Sequence, residues 1–334
     1  MGGAIGRGTS TIQSRRHPSY SNAGFNVLGR LVAYTLGMSW EDALREKITA
    51  PLECQDTVTL PEEVVPKLHA LGNRTDVEKG ELIPIESWSA DRGSAPCGEI
   101  VASARDLVAF ARMHLDRGAG PDGARVLSAE MAVSMTEPQV KLPRHGIADA
   151  WGLGFDLYQS GDTWIPGHGG NVDAQTSTLY LVPERHAAVA ILTNSDRGSI
   201  HVESLLRRVL DEWFGVHLTP PLEPPAAKPD VPIDPHLGTY DRDDLVFDVE
   251  LKDGDLKLTI TDRLDRMPSG QAYDLVPCDE EGVFLMMIPG VSRGLPVVFD
   301  RCSDGRLYMH AGGRSTPKAE ALASTEPALD AVLE

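Results

Sequence analysis

The sequence is poor in the features that mark membrane proteins, metalloproteins and nucleotide-binding enzymes. Nowhere do about 18 uncharged apolar residues follow one another, which argues against a transmembrane helix. Cysteine is scarce: Cys54, Cys97, Cys278 and Cys302 stand far apart with no Cys-x-x-Cys pair, so no zinc knuckle, redox motif or disulfide framework can be read. The histidines are scattered and form no His-Glu-x-x-His, and there is no Gly-x-Gly-x-x-Gly after a strand pattern and no Walker loop. Neither a metal nor a cofactor is expected. Positive charge is also short, 31 Lys and Arg against 49 Asp and Glu, for a net charge of −18. Such a chain repels nucleic acid and anionic lipid, which leaves a small molecule or peptide as the expected substrate. The opening stretch, MGGAIGRGTSTIQSRR, lacks the apolar core of a signal peptide and leaves the compartment open.

What is present divides the chain. Seven of the seventeen residues from Thr219 to Pro235 are proline, a composition that sustains neither a helix nor a central strand and reads as a stiff linker. Before it, helical and strand patterns alternate. Residues 23–37 place Val27, Leu28, Leu31 and Val32 on one face, and Gly37 ends the run. Ser39 and Ser103 stand as N-caps, each followed three residues later by an aspartate, Asp42 and Asp106, placed for a capping box. A further amphipathic helix covers Ser199 to Phe214, and the apolar runs 177–182 and 187–193, joined by PERH, predict an antiparallel hairpin. After the linker, short strands alternate with turns at Asp253-Gly254, at the Asp-Glu-Glu-Gly stretch ending in Gly282, and at Asp304-Gly305, the pattern of a meander or small closed barrel.

Two stretches could carry chemistry. Tyr20-Ser21-Asn22 directly precedes a helix, and Gly167-His168-Gly169-Gly170 precedes the hairpin. Glycines let a ligand approach a strand backbone closely, and a histidine there can donate a hydrogen bond or polarise a carbonyl. Taken alone, each also reads blandly, as a helix cap with a packed ring and as a glycine-rich turn.

In their order along the chain, YSNAGFNVLG, ITAPL, APCGEIVASARDLVAFARMHL, WGLGF, GHGG and LYLVPERHAAVAILTN resemble the β-lactamase-related serine hydrolases, a group that includes class C β-lactamases, penicillin-binding DD-peptidases, D-aminopeptidases and esterases. The resemblance spans about residues 17–215. It implies an α+β fold with helices packed on an antiparallel sheet, and a lipocalin-like all-β domain beyond the linker. It also implies roles. Tyr20 would pass protons beside a lysine, Asn22 would bind the substrate amide or orient that lysine, and His168, Gly169 and Gly170 would line the strand edge beside the acyl group in an acyl-enzyme mechanism.

Two departures bear on activity. The family's Ser-x-x-Lys nucleophile segment lies well before Tyr-x-Asn, whereas in this sequence only nineteen residues precede Tyr20 and none forms the motif. The one match, Ser315-Thr316-Pro317-Lys318, falls in the all-β part and contains a helix-breaking proline. Ala174 and Gln175 also stand where the family often has Gly-Phe, which puts the local turn in question. The expected organisation is therefore an unstructured leader at 1–16, a partial serine-hydrolase domain at 17–218 without its nucleophile, the linker at 219–235, the all-β domain at 236–318 and a tail at 319–334. The complete protein would hydrolyse esters or amides, as an esterase or D-amino-acid peptidase in preference to a true β-lactamase, because a mostly neutral imidazole at 168 holds a substrate carboxylate less well than a lysine. This chain alone is expected to be inactive and to associate as a homodimer or with a partner chain that supplies the missing segment. The alternatives are a non-catalytic binding or regulatory protein and one half of a split enzyme.

Overall fold

The structure is a computed structural model and describes residues 18–319 apart from 77–78, 87–91, 228, 265–269, 279–280, 290–292 and 303–304. The leader, all but the first residue of the tail, Asp304 and the start of the Asp-Glu-Glu-Gly turn lie outside the described residues. The chain forms two compact units, one of residues 20–142 and 147–220, the other comprising the described parts of 1–19, 143–146 and 221–334.

The first unit opens with α1 (Asn22–Leu36), capped by Ser21, whose Oγ accepts the Gly24 amide at 3.0 Å, and closed by Gly37 in the left-handed region. Its apolar stripe forms as the periodicity predicts, yet Val27, Leu28, Leu31 and Val32 are all exposed. The buried residue of α1 is Gly29, where a Cβ would stand 2.3 Å from Pro96 Cγ. Helix α2 (Trp40–Leu44) follows, and Ser39 Oγ both accepts the Asp42 amide and donates to its carboxylate at 2.7 Å. It runs into one π-helical turn, Arg45–Thr49. Short α3 (Pro61–Val64) leads to the ribbon of β1 (Asn73–Thr75) and β2 (Leu82–Pro84), then α4 (Ala95–Gly98).

Helix α5 (Ala104–Leu115) corrects one expectation. Ser103 Oγ caps it by accepting the Asp106 amide at 3.2 Å, but the Asp106 carboxylate does not reach back to complete a box. It accepts instead from the Asp56 amide at 2.9 Å and from Thr57 Oγ1 at 2.7 Å, tying the preceding loop to the helix. A spacing rule sees only the local partner; the loop offers two donors at once.

After α6 (Ala129–Met135) comes a six-stranded antiparallel sheet in sequence order: β3 (Val140–Lys141), β4 (Ala150–Trp151), β5 (Asp156–Ser160), β6 (Thr163–Val172), β7 (Gln175–Val182) and β8 (Ala187–Thr193). Alternation along the strands sends Leu157, Leu179 and Leu181 to one face, against Ala111 of α5, and Ile165, Tyr180 and Val182 to the other, against Leu206 and Leu210 of α7 (Gly198–Phe214). The PERH joint is a single 3₁₀ turn, with His186 left-handed at φ 48°.

The second unit is an eight-stranded antiparallel meander: β9 (Gly238–Asp241), β10 (Leu245–Lys252), β11 (Asp255–Asp262), β12 (Gln271–Pro277), β13 (Val283–Met287), β14 (Leu295–Arg301), β15 (Leu307–Ala311) and β16 (Arg314–Pro317). A Tyr240–Lys318 bridge and the Ala319 amide on the Thr239 carbonyl at 2.8 Å bring its last strand to its first. The barrel holds one packed cluster, which includes Tyr240, Phe247, Leu258, Phe284, Phe299 and Met309. Along the linker, residues 219–227 form no helix or strand, and Leu222 packs on Cys278, Val283, Leu285 and Val298.

One core residue makes the first unit's stability depend on pH. His114 of α5 lies buried edge-on to Phe110 and Phe155, with no hydrogen-bond partner at either ring nitrogen among the described residues. Burial pushes its pKa down to about 4 from an ordinary 6.5. As pH falls through 6.5 the unfolded chain takes up this proton first, so stability declines down to pH 4 and this contribution then levels off. His114→Leu is expected to remove a loss on the order of 3 kcal/mol between pH 7 and pH 4. All five tryptophans lie between residues 40 and 213, so urea unfolding followed by tryptophan fluorescence reads this unit alone and tests the difference.

Candidate active site at the open edge of β6

Strand β6 has ten residues and β5 only five. Their register ends at Asp156 opposite Gly167, while β6 continues paired with β7 to Val172 opposite Gln175. The segment His168–Val172 is therefore bonded on one side only, and its other edge is bare among the described residues. Such an edge offers backbone N–H and C=O groups to an extended ligand. Gly169 and Gly170 are exposed along it. An open cavity of about 390 Å³ lies on the α7 face of the sheet, with Gly169, Gly170, Ser177, Tyr180 and Glu203 in its wall; Tyr20 and His168 are not among the residues that line it.

The three glycines of Gly-His-Gly-Gly differ in what they do. At Gly167 a Cβ would come within 2.9 Å of the Tyr180 ring and 3.0 Å of the Leu179 carbonyl, so packing demands glycine. At Gly169 the nearest atom would be 3.5 Å away, ordinary contact, so the fold does not need the missing side chain there. The β6–β7 connection is a two-residue turn through Asp173 and Ala174, both left-handed, at φ 48° and 58°. The turn thus forms without the glycine the family often has, with a non-glycine residue held at a costly angle.

His168 Nδ1 lies 2.7 Å from the carbonyl oxygen of Gly169. A carbonyl only accepts, so Nδ1 carries the proton, and Nε2 of the neutral ring is an acceptor. The neutral imidazole thus presents a lone pair where the sequence suggested a donor. Tyr20 stands across from it, with ring centroids 6.3 Å apart. Ser21, the middle residue of Tyr-x-Asn, is spent on the α1 cap. Asn22 is exposed in the first turn of α1, and among the described residues its side chain makes no hydrogen bond. The structure thus brings Tyr20 to the His168–Gly170 edge and leaves Asn22 facing solvent.

Two residues outside the sequence motifs complete the surroundings. Trp151 packs at 6.5 Å from the Tyr20 ring, tilted by 58°, and donates from Nε1 to Asp156 Oδ1 at 2.8 Å. Trp151 and Asp156 face each other across β4 and β5. Asp156 is buried, and burial pushes its carboxyl pKa up against the opposing pull of His168 and of the Trp151 hydrogen bond. Tyr158 and Tyr180 stack at 5.1 Å on the same sheet. Burial raises both phenols, Tyr180 to about 12, and the Asp156 charge adds to it. The WGLGF block held the signal for Trp151, but nothing in it pointed to the strand pairing that gives the indole its acceptor. Among the described residues no group of three or more His, Cys, Asp or Glu could hold a metal ion, and no helix is long and apolar enough to cross a membrane.

An antiparallel sheet with helices on both faces, with a tyrosine just before a helix near its β6 edge, is the architecture of the β-lactamase-related serine hydrolases. The chain belongs to the β-lactamase family, whose model, described as Beta-lactamase, matches residues 9–211. It is 36% identical over 232 residues to penicillin-binding protein 4 of Amycolatopsis lactamdurans, covering 67% of this chain and 60% of that protein. It is 22% identical over 203 residues to a D-aminopeptidase of Brucella anthropi, covering 60% of this chain and 36% of that one. The chain therefore spans less than two thirds of either relative. Among solved structures, that of SurE superposes with a TM-score of 0.73 at 27% identity, over 94% of this chain and 71% of SurE.

The glycine geometry gives a paired expectation. Gly167→Ala should destabilise the first unit by roughly 1–3 kcal/mol through overpacking, while Gly169→Ala should leave stability within about 0.5 kcal/mol. Ala174→Gly should raise stability by about 1 kcal/mol by relieving the left-handed alanine. Urea midpoints for the three variants, read by tryptophan fluorescence, check the ranking.

Proposed function

We propose that the complete protein is a serine hydrolase of ester or amide bonds, an esterase or D-amino-acid peptidase and not a true β-lactamase, and that residues 1–334 lack the nucleophile and do not hydrolyse by themselves. The observation that carries the reading is the approach of Tyr20 to His168, 6.3 Å between rings, at a strand edge open to an extended substrate. In this arrangement Tyr20 would relay protons and Gly169 and Gly170 would flank the acyl group, with Asn22 reaching the substrate amide once a ligand is bound. The choice of substrate follows from His168. With Nδ1 committed to the Gly169 carbonyl, the neutral ring offers an acceptor, which favours a substrate N–H or O–H and gives a carboxylate no cation to rest on. The likeness to a D-aminopeptidase and to SurE, which was also solved with D-Leu, supports the D-amino-acid side of the reading.

The expected inactivity follows from the mechanism. Acyl transfer needs a nucleophile with a base in reach, and residues 1–218 contain no Ser-x-x-Lys to supply the pair. Two observations favour a missing segment, supplied in the same polypeptide or by a partner chain, over a binding protein that has lost its chemistry. The apolar stripe of α1 is exposed, and β8 ends the sheet with an apolar strand, Ala187–Ile191, that has no strand on its outer side among the described residues. Both are surfaces that a further piece of fold would cover.

A fluorophosphonate probe followed by mass spectrometry of the labelled peptide tests the inactivity. No stoichiometric label is expected on any serine of residues 1–218. Such a label, together with ester turnover lost on replacing that serine, would overturn the proposal. For a form that contains the nucleophile, a p-nitrophenyl ester and a D-alanyl amide should be turned over faster than a cephalosporin; fast turnover of the cephalosporin alone would refute the substrate assignment.

A further inference from the structure

We propose that Asp156 and Trp151 are positioning residues for Tyr20: the buried carboxylate holds the indole, and the indole holds the phenol ring at the open edge of β6. The inference rests on the reading of Tyr20 as part of the site, and it goes beyond that reading by assigning the residues that keep the ring in place.

Trp151 lies on the two-residue strand Ala150–Trp151, where its backbone pairs with Val140 on one side and Asp156 on the other. Its indole is tethered by the 2.8 Å bond from Nε1 to Asp156 Oδ1. Asp156 lies on the better-paired β5, opposite both Trp151 and Gly167, and is 8% exposed. A carboxylate is costly to bury, and the indole N–H that it accepts offsets part of that cost. Tyr20 precedes the capped first turn of α1 and so lies outside the helical ladder. Its ring contacts among the described residues include Trp151 at 6.5 Å and 58° and His168 at 6.3 Å and 38°, both within the range of favourable aromatic pairs. If the acceptor under the indole is removed, the indole is freed, and with it a ring that the phenol packs against. The carboxylate also lies within electrostatic range of His168, so one buried group is linked to Trp151 and to His168 alike.

The chain itself, labelled with ¹³C and ¹⁵N in its seven tyrosines and five tryptophans, provides the test by NMR. Tyr20→Phe and Trp151→Phe assign the two residues. In the unsubstituted chain a ring-to-ring NOE between Trp151 and Tyr20 and slow exchange of the Trp151 indole N–H are expected. Asp156→Leu should abolish both and shift the Tyr20 ring signals. Asp156→Asn, which keeps an oxygen acceptor, should retain both. If Asp156→Leu fails to fold, Trp151→Phe serves in its place: it keeps a ring but removes the donor, and should also shift the Tyr20 signals. Tyr20 signals unmoved by Asp156→Leu or Trp151→Phe would overturn the proposal, as would an Asp156→Asn variant that behaves like Asp156→Leu. The readout is ring geometry and not turnover, so failure of this inference and failure of the hydrolase reading are distinguishable.

Discussion

The unequal length of β5 and β6 is the constraint from which the rest of the candidate site follows. Five residues paired against ten leave the second half of β6 with one edge that is free among the described residues, and that edge is where His168, Gly169 and Gly170 stand. The paired half is locked from the opposite direction, because Tyr180 fills the space that any side chain at Gly167 would need. Packing thus fixes the strand up to the point where it becomes available to a ligand. The exposed segment is paired with β7 and closed by a left-handed two-residue turn, and it is continuous with the buried half.

Much of the scaffold is legible in the sequence because it is written in short-range chemistry. Ser21, Ser39 and Ser103 cap where a small polar residue precedes an apolar stripe, Gly37 ends α1, and the Asp253-Gly254 turn joins β10 to β11. The failures are as local in their causes. Asp106 has the spacing of a capping-box residue but meets two better donors in the loop at 56–57, which no spacing rule can see. The stripe on α1 is readable, but whether it is covered depends on which surfaces the fold brings to it; Pro96 against Gly29 takes the one narrow side.

For the candidate site, Tyr20 and His168 stand out through the order of motifs along the chain, since neither stretch is informative alone. Asn22 shares the motif with Tyr20 yet faces solvent, because Ser21 starts the helix between them and turns the next residue outward. Trp151 and Asp156 are silent for a different reason. Their pairing depends on strand register, and a carboxylate five residues from a tryptophan carries no signal until the strands are laid side by side. The tautomer of His168 likewise follows from a carbonyl one residue away and reverses the polarity that the side chain was expected to present.

The second unit carries a consequence of its own. Its eight strands run in order around the sheet, and the bridge from Tyr240 to Lys318 sets the first strand beside the last. The two ends of the meander are therefore neighbours in space, so the order in which the strands are threaded is not what holds the barrel together. A circular permutation that joined those ends by a short connector and reopened the chain at the exposed Asp253-Gly254 turn would preserve every strand pairing except the closeness of one hairpin. The barrel is, in this sense, a ring whose point of opening is an accident of the gene.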